Sequence, residues 1–149
     1  MDKLNFPAYT FKVKGNDTGK QIFDEIRKKY VALTPEEWVR QHIIRYLIDH
    51  KKYPAGLFAV ESGTKYNRLK KRTDLVIYDR EGKALVIVEC KAPDICLNQK
   101  SFNQIASYNK NIRGKYLIVT NGLSHYCCEV DYLHGRHKFL EEIPEYIKL

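Results

Sequence analysis

The sequence lacks several features that would assign it to common classes of protein. Its 149 residues contain no apolar run long enough to cross a bilayer, and no N-terminal hydrophobic segment of the signal-peptide kind. They also contain no GxxxxGK(S/T) phosphate loop, which a P-loop ATP motor requires. We therefore expect a cytoplasmic protein with no membrane contact.

Cysteine is present but sparse and has no paired spacing. The chain has four cysteines and no CxxC pair: Cys90, Cys96, Cys127 and Cys128. In a cytoplasmic chain this pattern fits reduced, mostly buried thiols. A zinc site within residues 125–137, which hold two cysteines and three histidines, is an alternative whose spacing matches no standard zinc module.

Acidic residues are fewer than basic ones. The chain has 18 Asp and Glu against 26 Lys and Arg, which gives a formal net charge of +8. An excess of positive charge indicates an anionic partner, most often nucleic acid. The length suits one domain with a single core. We divide it into an N-terminal arm with a short helix, residues 1–33, and a core, residues 34–149.

The chain is organised around residues 72–91, which read RTDLVIYDREGKALVIVECK. Two apolar runs flank a turn-forming stretch, a pattern that predicts a β-hairpin. The two predicted strands are residues 75–78 and 84–88. A turn centred after Glu81 places Asp74 directly opposite Glu89, with their Cβ atoms about 4.5–5.5 Å apart.

Three charged residues lie where this hairpin ends, namely Asp74, Glu89 and Lys91. Side chains alternate along a strand, so Glu89 and Lys91 share one face and Cys90 points to the other. Two facing carboxylates repel each other unless a cation lies between them. Mg²⁺ takes one or two carboxylates and keeps waters for substrate phosphates. The trio therefore predicts a metal site, and a surface ion pair is the alternative.

Local patterns predict the N-terminal elements. Alternation at residues 9–13 predicts an edge strand or an arm that a loop follows, and helical spacing at residues 21–30 predicts a short helix. Residues 34–37, TPEE, form a strong helix start with an N-cap, a proline at the first position and a glutamate at the third. That helix is predicted to run to about His50.

The remaining elements complete an alternation of helix and strand. We predict a strand at 55–61, the hairpin, a helix at 97–113, strands at 115–120 and 124–132, a basic loop at 134–138, and a segment at 139–146 that packs on the core. This order predicts an α/β sandwich with a mixed central sheet. The helix at 97–113 is the crossover between two parallel strands.

A basic loop precedes Asp74. Its cationic residues are Lys65, Arg68, Lys70, Lys71 and Arg72. Such a loop is often only solvated. At the mouth of the predicted site, however, lysine and arginine would supply sequence-independent contacts to DNA phosphates.

Asp74, followed by Glu89-Cys90-Lys91 after a hydrophobic strand, resembles the PD-(D/E)XK nuclease signature. Five blocks narrow the resemblance: LTPEEWVRQHIIRYL, KRTDLVIYD, VIVECKAP, FNQIASYN and YLIVTNGLSHYC. In this order they resemble the N-terminal nuclease domain of type I restriction enzyme R subunits, from about residue 23 to residue 146.

The resemblance implies a PD-(D/E)XK sandwich with an αβββαβ core and a Mg²⁺-dependent DNA endonuclease, with Mn²⁺ as a substitute metal. Asp74 and Glu89 would hold the metal, helped by the backbone carbonyl of Cys90, and Lys91 would position the attacking water. In the family an acidic residue on the first helix lies beside the metal. Here Glu37 is our choice, with Glu36 as the alternative.

The predicted helix at 97–113 carries a second family motif. Gln104 and Tyr108 are four residues apart and therefore neighbours on that helix. They resemble the QxxxY motif that follows the ExK strand in restriction subunits and related exonucleases. There the motif helps to hold nucleic acid and supports the metal site.

The partners follow from the same resemblance. Type I R subunits follow this domain with a helicase-like ATP motor, which these residues do not contain. We expect a stand-alone nuclease, or one that works with restriction helicase or modification subunits. DNA is the expected substrate, and a homodimer would let two sites cut two strands. A non-catalytic module that binds nucleic acid or supports assembly is the alternative function.

Overall fold

The computed structural model describes residues 1–62, 73–108 and 113–149 of the chain. For Asp74 and Tyr108 it describes the backbone only. The predicted DNA-contacting residues from Lys65 to Arg72 lie outside the described residues.

A three-stranded antiparallel sheet comes first in the chain. Its strands are β1 (Val13–Asn16), β2 (Gly19–Asp24) and β3 (Lys29–Ala32), in that spatial order. The predicted helix at 21–30 is therefore wrong. Residues 9–12 form no strand, so of the two readings of residues 9–13 the arm fits better than the edge strand. Asp24 explains the turn, because its Oδ1 accepts the backbone N–H groups of Ile26 at 2.8 Å and Arg27 at 3.2 Å. Lys28 then adopts a positive φ of 57°, and β3 begins at the next residue.

Helix α1 (Pro35–Asp49) begins and ends as predicted. Thr34 is its N-cap, and its Oγ1 accepts the backbone N–H of Glu37 at 3.0 Å, which satisfies one of the free donors of the first turn. The face of α1 formed by Val39, Ile43 and Leu47 is fully buried.

The central sheet has six strands. They are β4 (Phe58–Ser62), β5 (Thr73–Tyr78), β6 (Ala84–Cys90), β7 (Tyr116–Thr120), β8 (His125–Asp131) and β9 (Arg136–Leu140), in the spatial order of their numbers. Among the described strands only β6 and β7 pair in parallel, and the crossover between them contains α2 (Gln99–Tyr108). The α/β class and the mixed sheet are thus confirmed.

The two helices cover opposite faces of this sheet. On one face α1 packs over Val88, Cys90 and Ile118. On the other face α2 packs Phe102 over Ile87, next to Leu117 and Val119. This division follows from strand alternation, and it decides which side chains of β6 meet which helix.

The hairpin of β5 and β6 has the predicted register in its body. Leu75 pairs with Val88 and Ile77 with Val86. Tyr78 then pairs with Ala84, so the register shifts by one residue beside the turn. The turn is thus not centred after Glu81 as predicted, and a bulge restores the pairing further along.

Two further boundaries differ from the prediction. Residues 134–138, predicted to be a basic loop, lie largely in β9, where Lys138 pairs with Glu129 of β8. The strand predicted at 55–61 begins later, because Ala55–Leu57 forms a 3-10 turn before β4. The segment that follows β9 packs on the core as predicted, through the buried Ile143.

The N-terminal segment, residues 1–6, is hydrogen-bonded to the turn after β7 and to α1. The backbone N–H of Asn5 donates to the carbonyl of Gly122 at 2.7 Å, and the indole Nε1–H of Trp38 donates to the carbonyl of Asp2 at 2.8 Å. Leu4 is buried in the core cluster on the α1 side. None of the described helices has the length and apolar character needed to span a bilayer.

Candidate active site at the ends of the central strands

Glu89 and Lys91 lie together where β6 ends. The Glu89 carboxylate is buried, with only 2 % of the residue exposed. The Nζ of Lys91 lies 3.7 Å from Oε1 of Glu89, and about a third of the Lys91 side chain reaches solvent. A buried carboxylate beside a half-exposed ammonium can hold a cation or a polar ligand at this strand end. The predicted shared face of Glu89 and Lys91 is confirmed.

Cys90 faces the opposite side, as predicted, and packs in the cluster under α1. Burial raises the pKa of its thiol to about 12, although the positive charge of Arg40 works in the other direction. At neutral pH the side chain is therefore an uncharged thiol and cannot serve as a nucleophile. The metal role predicted for its backbone carbonyl stays a prediction.

Asp74 takes the expected position along the sheet. It lies one residue before Leu75, whose partner Val88 lies one residue before Glu89, and the pairing of β5 with β6 begins at Leu75 and Val88. The backbone partner of position 74 is Glu61 of β4. The side chain of Asp74 lies outside the described residues, so its predicted metal role stays a prediction.

A hydrogen-bond network that the sequence did not reveal fixes the chain after β6. The backbone N–H of Lys91 donates to the carbonyl of Thr120 at 2.9 Å, and Nδ2 of Asn121 donates to the carbonyl of Ile95 at 2.8 Å. Oδ1 of Asn121 accepts two backbone N–H groups of the turn that follows it, at 2.9 and 2.8 Å. Asn121 thus joins the segment that follows Lys91 to the end of β7. The sequence signal was the turn at 120–122, which we assigned no such role.

His125 extends this network to the N-terminal segment. Its Nε2 lies 2.9 Å from the carbonyl of Asn5 and its Nδ1 lies 2.7 Å from Oγ1 of Thr120. A carbonyl only accepts, so Nε2 carries the proton and Nδ1 accepts the Thr120 hydroxyl in the neutral ring. Burial lowers the pKa of His125, against the opposing effect of the bond to Asn5. The neutral ring is therefore the form that the fold favours.

Glu37 is buried on α1 and both its oxygens accept hydrogen bonds. Oε1 accepts from Arg27 at 3.1 Å and from Arg40 at 2.9 Å, and Oε2 accepts from Gln41 at 2.9 Å. Glu36 is half-buried and pairs with the second guanidinium nitrogen of Arg40 at 3.0 Å. The described contacts give Glu37 a structural use, and its approach to a metal stays a prediction.

The second family motif is only partly described. Gln104 lies exposed on α2, and for Tyr108 only the backbone on the same helix is described. Their predicted role in holding nucleic acid therefore stays a prediction.

The alternative zinc site would use Cys127, Cys128, His125, His134 and His137. Cys127 packs in the cluster on the α1 side and Cys128 in the cluster on the α2 side, because neighbours on a strand face opposite ways. Two thiols on opposite faces of a sheet cannot share an ion, so the zinc hypothesis is wrong. Among the described side chains, which leave out Asp74, no three His, Cys, Asp or Glu groups come together around one point.

Comparison with known proteins gives one family match. A family model described as type I restriction enzyme R protein N terminus matches residues 35–144. The match includes α1, α2 and the whole central sheet, and it leaves out the three-stranded N-terminal sheet. No curated protein and no solved structure gives a match. The resemblance inferred from the sequence blocks is thereby confirmed.

Proposed function

The chain belongs to the family of type I restriction enzyme R protein N termini, and from this premise we propose that it is a metal-dependent deoxyribonuclease with the PD-(D/E)XK fold. The observation that carries the proposal is the buried carboxylate of Glu89 with the ammonium of Lys91 at 3.7 Å from it. The pairing of Leu75 with Val88 supports it, because the same register continued by one residue would put Asp74 opposite Glu89.

The donors at this strand end suit a hard divalent cation. Carboxylate and carbonyl oxygens are the ligands that Mg²⁺ and Mn²⁺ take in proteins. Asp74, Glu89 and the carbonyl of Cys90 would hold the ion, and Glu37 is a fourth candidate with less support. When bound, the metal supplies a water of lowered pKa and neutralises charge on the scissile phosphate.

Lys91 would act directly on the reacting groups. Its ammonium can donate to the attacking water and can stabilise the charge that builds on the phosphate oxygens. The hydrogen bonds from Lys91 and Asn121 to Thr120 and Ile95 hold the backbone around it. Such fixed placement reduces the reorganisation that the reaction requires.

DNA is the proposed substrate because of the family and the net charge of +8. The basic residues from Lys65 to Arg72 would contact phosphates, and Gln104 with Tyr108 would help to hold the strand. None of these contacts reads base edges, so weak sequence specificity is expected. Partner restriction subunits and a homodimer remain proposals that follow from the family.

Cleavage of single-stranded, linear and supercoiled DNA with Mg²⁺ or Mn²⁺ tests the proposal. Asp74→Ala and Lys91→Ala should each lower the cleavage rate by about 10²–10³-fold, since each removes a group that acts in the transition state. Lys83→Ala is the matched control, because Lys83 is an exposed lysine just before the other end of β6. Cleavage that survives both active-site substitutions would overturn the proposed site.

A non-catalytic DNA-binding module is the second candidate. The engagement of both Glu37 oxygens by Arg27, Arg40 and Gln41 favours it, because a metal would have to compete with those donors. Under this alternative, salt-sensitive DNA binding remains and no metal supports cleavage.

A further inference from the structure

We propose that the three-stranded N-terminal sheet is a second DNA-contacting surface, which binds the phosphate backbone through Lys12, Lys14 and Lys28. The surface is proposed for the same substrate as the nuclease, so it rests on the proposed function. It precedes the residues that the family match covers.

One face of this sheet carries lysines and aromatic rings. Lys12 lies beside Phe23, and Phe23 pairs with Tyr30 of β3. The Nζ of Lys12 lies 5.5 Å from the centre of the Phe23 ring, and the Nζ of Lys14 lies 4.1 Å from the centre of the Tyr30 ring. The opposite face holds the fully buried Ile22. The lysine face is therefore the outer one.

The charge balance around this face is positive. Residues 12–32 hold six basic side chains and three carboxylates. Asp24 is bound to Arg27, and Glu25 is bound to Arg45 of α1, so two of the three carboxylates are neutralised. Within the described chain the five lysines of this segment form no ion pair with a carboxylate. Exposed lysines without acidic partners complement a polyanion.

The geometry favours phosphate contacts over base stacking. Phe23 and Tyr30 are half-buried, and their rings meet edge to face at 5.3 Å with an interplanar angle of 71°. An ammonium group already lies over each ring. A base would have to displace the lysine before it could stack, whereas a phosphate can bind the ammonium where it lies.

Lys28 lies in the turn between β2 and β3 and completes this charged surface. It is exposed and has a φ of 57°, a region that glycine or asparagine adopts with less strain. Lys52 and Arg113 share this conformation, so the conformation supplies a test of Lys28 and does not by itself assign it a contact.

This strain allows a test that separates binding from folding. Lys28→Gly removes one charge and relieves the positive φ, so its thermal stability should equal or exceed that of the wild type. Lys52→Gly is the matched control, because Lys52 is also an exposed lysine with a positive φ, of 61°, and follows α1. Both variants change the net charge equally.

The assay is fluorescence anisotropy of a labelled DNA duplex of about 20 base pairs, titrated in EDTA so that no cleavage occurs. We expect Lys28→Gly to reduce the slope of log affinity against log salt by about one. The triple variant with Lys12→Gln and Lys14→Gln added should reduce it by about three. Lys52→Gly should leave the slope unchanged.

Several results would overturn the inference. An unchanged slope in a folded triple variant would do so, as would equal losses in Lys28→Gly and Lys52→Gly, which would indicate net charge only. Loss of single-strand binding in Phe23→Leu with no effect of the lysines would point to stacking instead. If the wild type binds as described but never cleaves, the nuclease proposal fails while this surface stands. If the wild type cleaves DNA but the lysine variants leave the salt slope unchanged, the nuclease proposal stands and this surface fails.

Discussion

Replacing Glu37 by glutamine tests whether this carboxylate holds the fold together. Glu37 is buried and accepts hydrogen bonds from Arg27, Arg40 and Gln41. Glu37→Gln keeps the shape of the side chain but removes the negative charge, and its amide nitrogen must face a donor. Two guanidinium groups then lose a common partner in a site with little solvent.

The expected loss is worked from these contacts. Removing one partner of a buried ion pair costs about 3–5 kcal/mol. Arg40 keeps Glu36 and Arg27 keeps Asp24, so part of that cost is avoided. We expect Glu37→Gln to lower the free energy of unfolding by about 3 kcal/mol, or the melting temperature by about 6–12 °C for a domain of this size.

Glu36→Gln is the control because it lies beside Glu37 in the same helical turn. Both substitutions lose the same favourable interaction with the helix dipole. The Glu36 side chain is 43 % exposed, so solvent screens its one ion pair and its loss should be about 0.5 kcal/mol. Urea unfolding followed by circular dichroism in metal-free buffer measures both. If Glu37→Gln unfolds at the same urea concentration as Glu36→Gln, or at a higher one, the structural role is refuted and a strained, ligand-binding carboxylate is favoured.

Two other predictions concern the network around the site and its histidines. Asn121→Asp keeps the acceptor of the turn but loses the donor to the Ile95 carbonyl, so it should lower kcat for DNA cleavage about tenfold. The control is Asn103→Asp, at an exposed position of α2, which should leave kcat unchanged. Equal rates in both variants would contradict a positioning role. Burial lowers the pKa of His42 and His125, so below about pH 6.5 the unfolded chain takes up protons that the folded chain refuses, and stability falls as pH falls. Replacing both histidines by glutamine should flatten the pH dependence of urea unfolding just below about pH 6.5, and an unaltered dependence would show that other groups cause it.

The main elements of the core could be predicted because their signals are local. Thr34 and Pro35 define the start of α1 through capping chemistry that needs no distant partner. The apolar runs of β5 and β6 likewise fix their pairing, because a slip of one residue would expose the buried face. The shift between Ile77 and Tyr78 could not be read from the turn, since it depends on how the two strands twist together.

The misassigned segments depend on distant contacts. Ile22, Phe23, Ile26 and Tyr30 have a spacing that suits a helix, yet Asp24 binds Arg27, and Arg27 reaches Glu37 on α1. That pairing between remote residues stabilises a turn where the periodicity predicts a helix. The basic composition of 134–138 similarly concealed β9, which forms because β8 offers it a paired edge.

The sequence predicts which residues form the site, but it does not predict the hydrogen bonds that hold the surrounding backbone in place. The shared face of Glu89 and Lys91 follows from alternation along one strand, and the structure confirms it. The roles of Asn121 and His125 could not be predicted, because their partners, Ile95 and Asn5, are brought to them only by the complete fold. A polar residue in a turn gives no indication of which distant carbonyl it will bind.

The bonds between the N-terminal segment and the turn after β7 also set an order for events during synthesis. Asn5 leaves the ribosome 118 residues before Leu123, whose carbonyl it binds, an interval of about 6–24 s at ordinary elongation rates. Throughout that time Leu4 and Phe6 have no native partner in the later turn. Any factor that meets the nascent chain before then encounters Leu4 and Phe6 without their contacts to that turn, and the segment closes over the turn only after β7 has emerged.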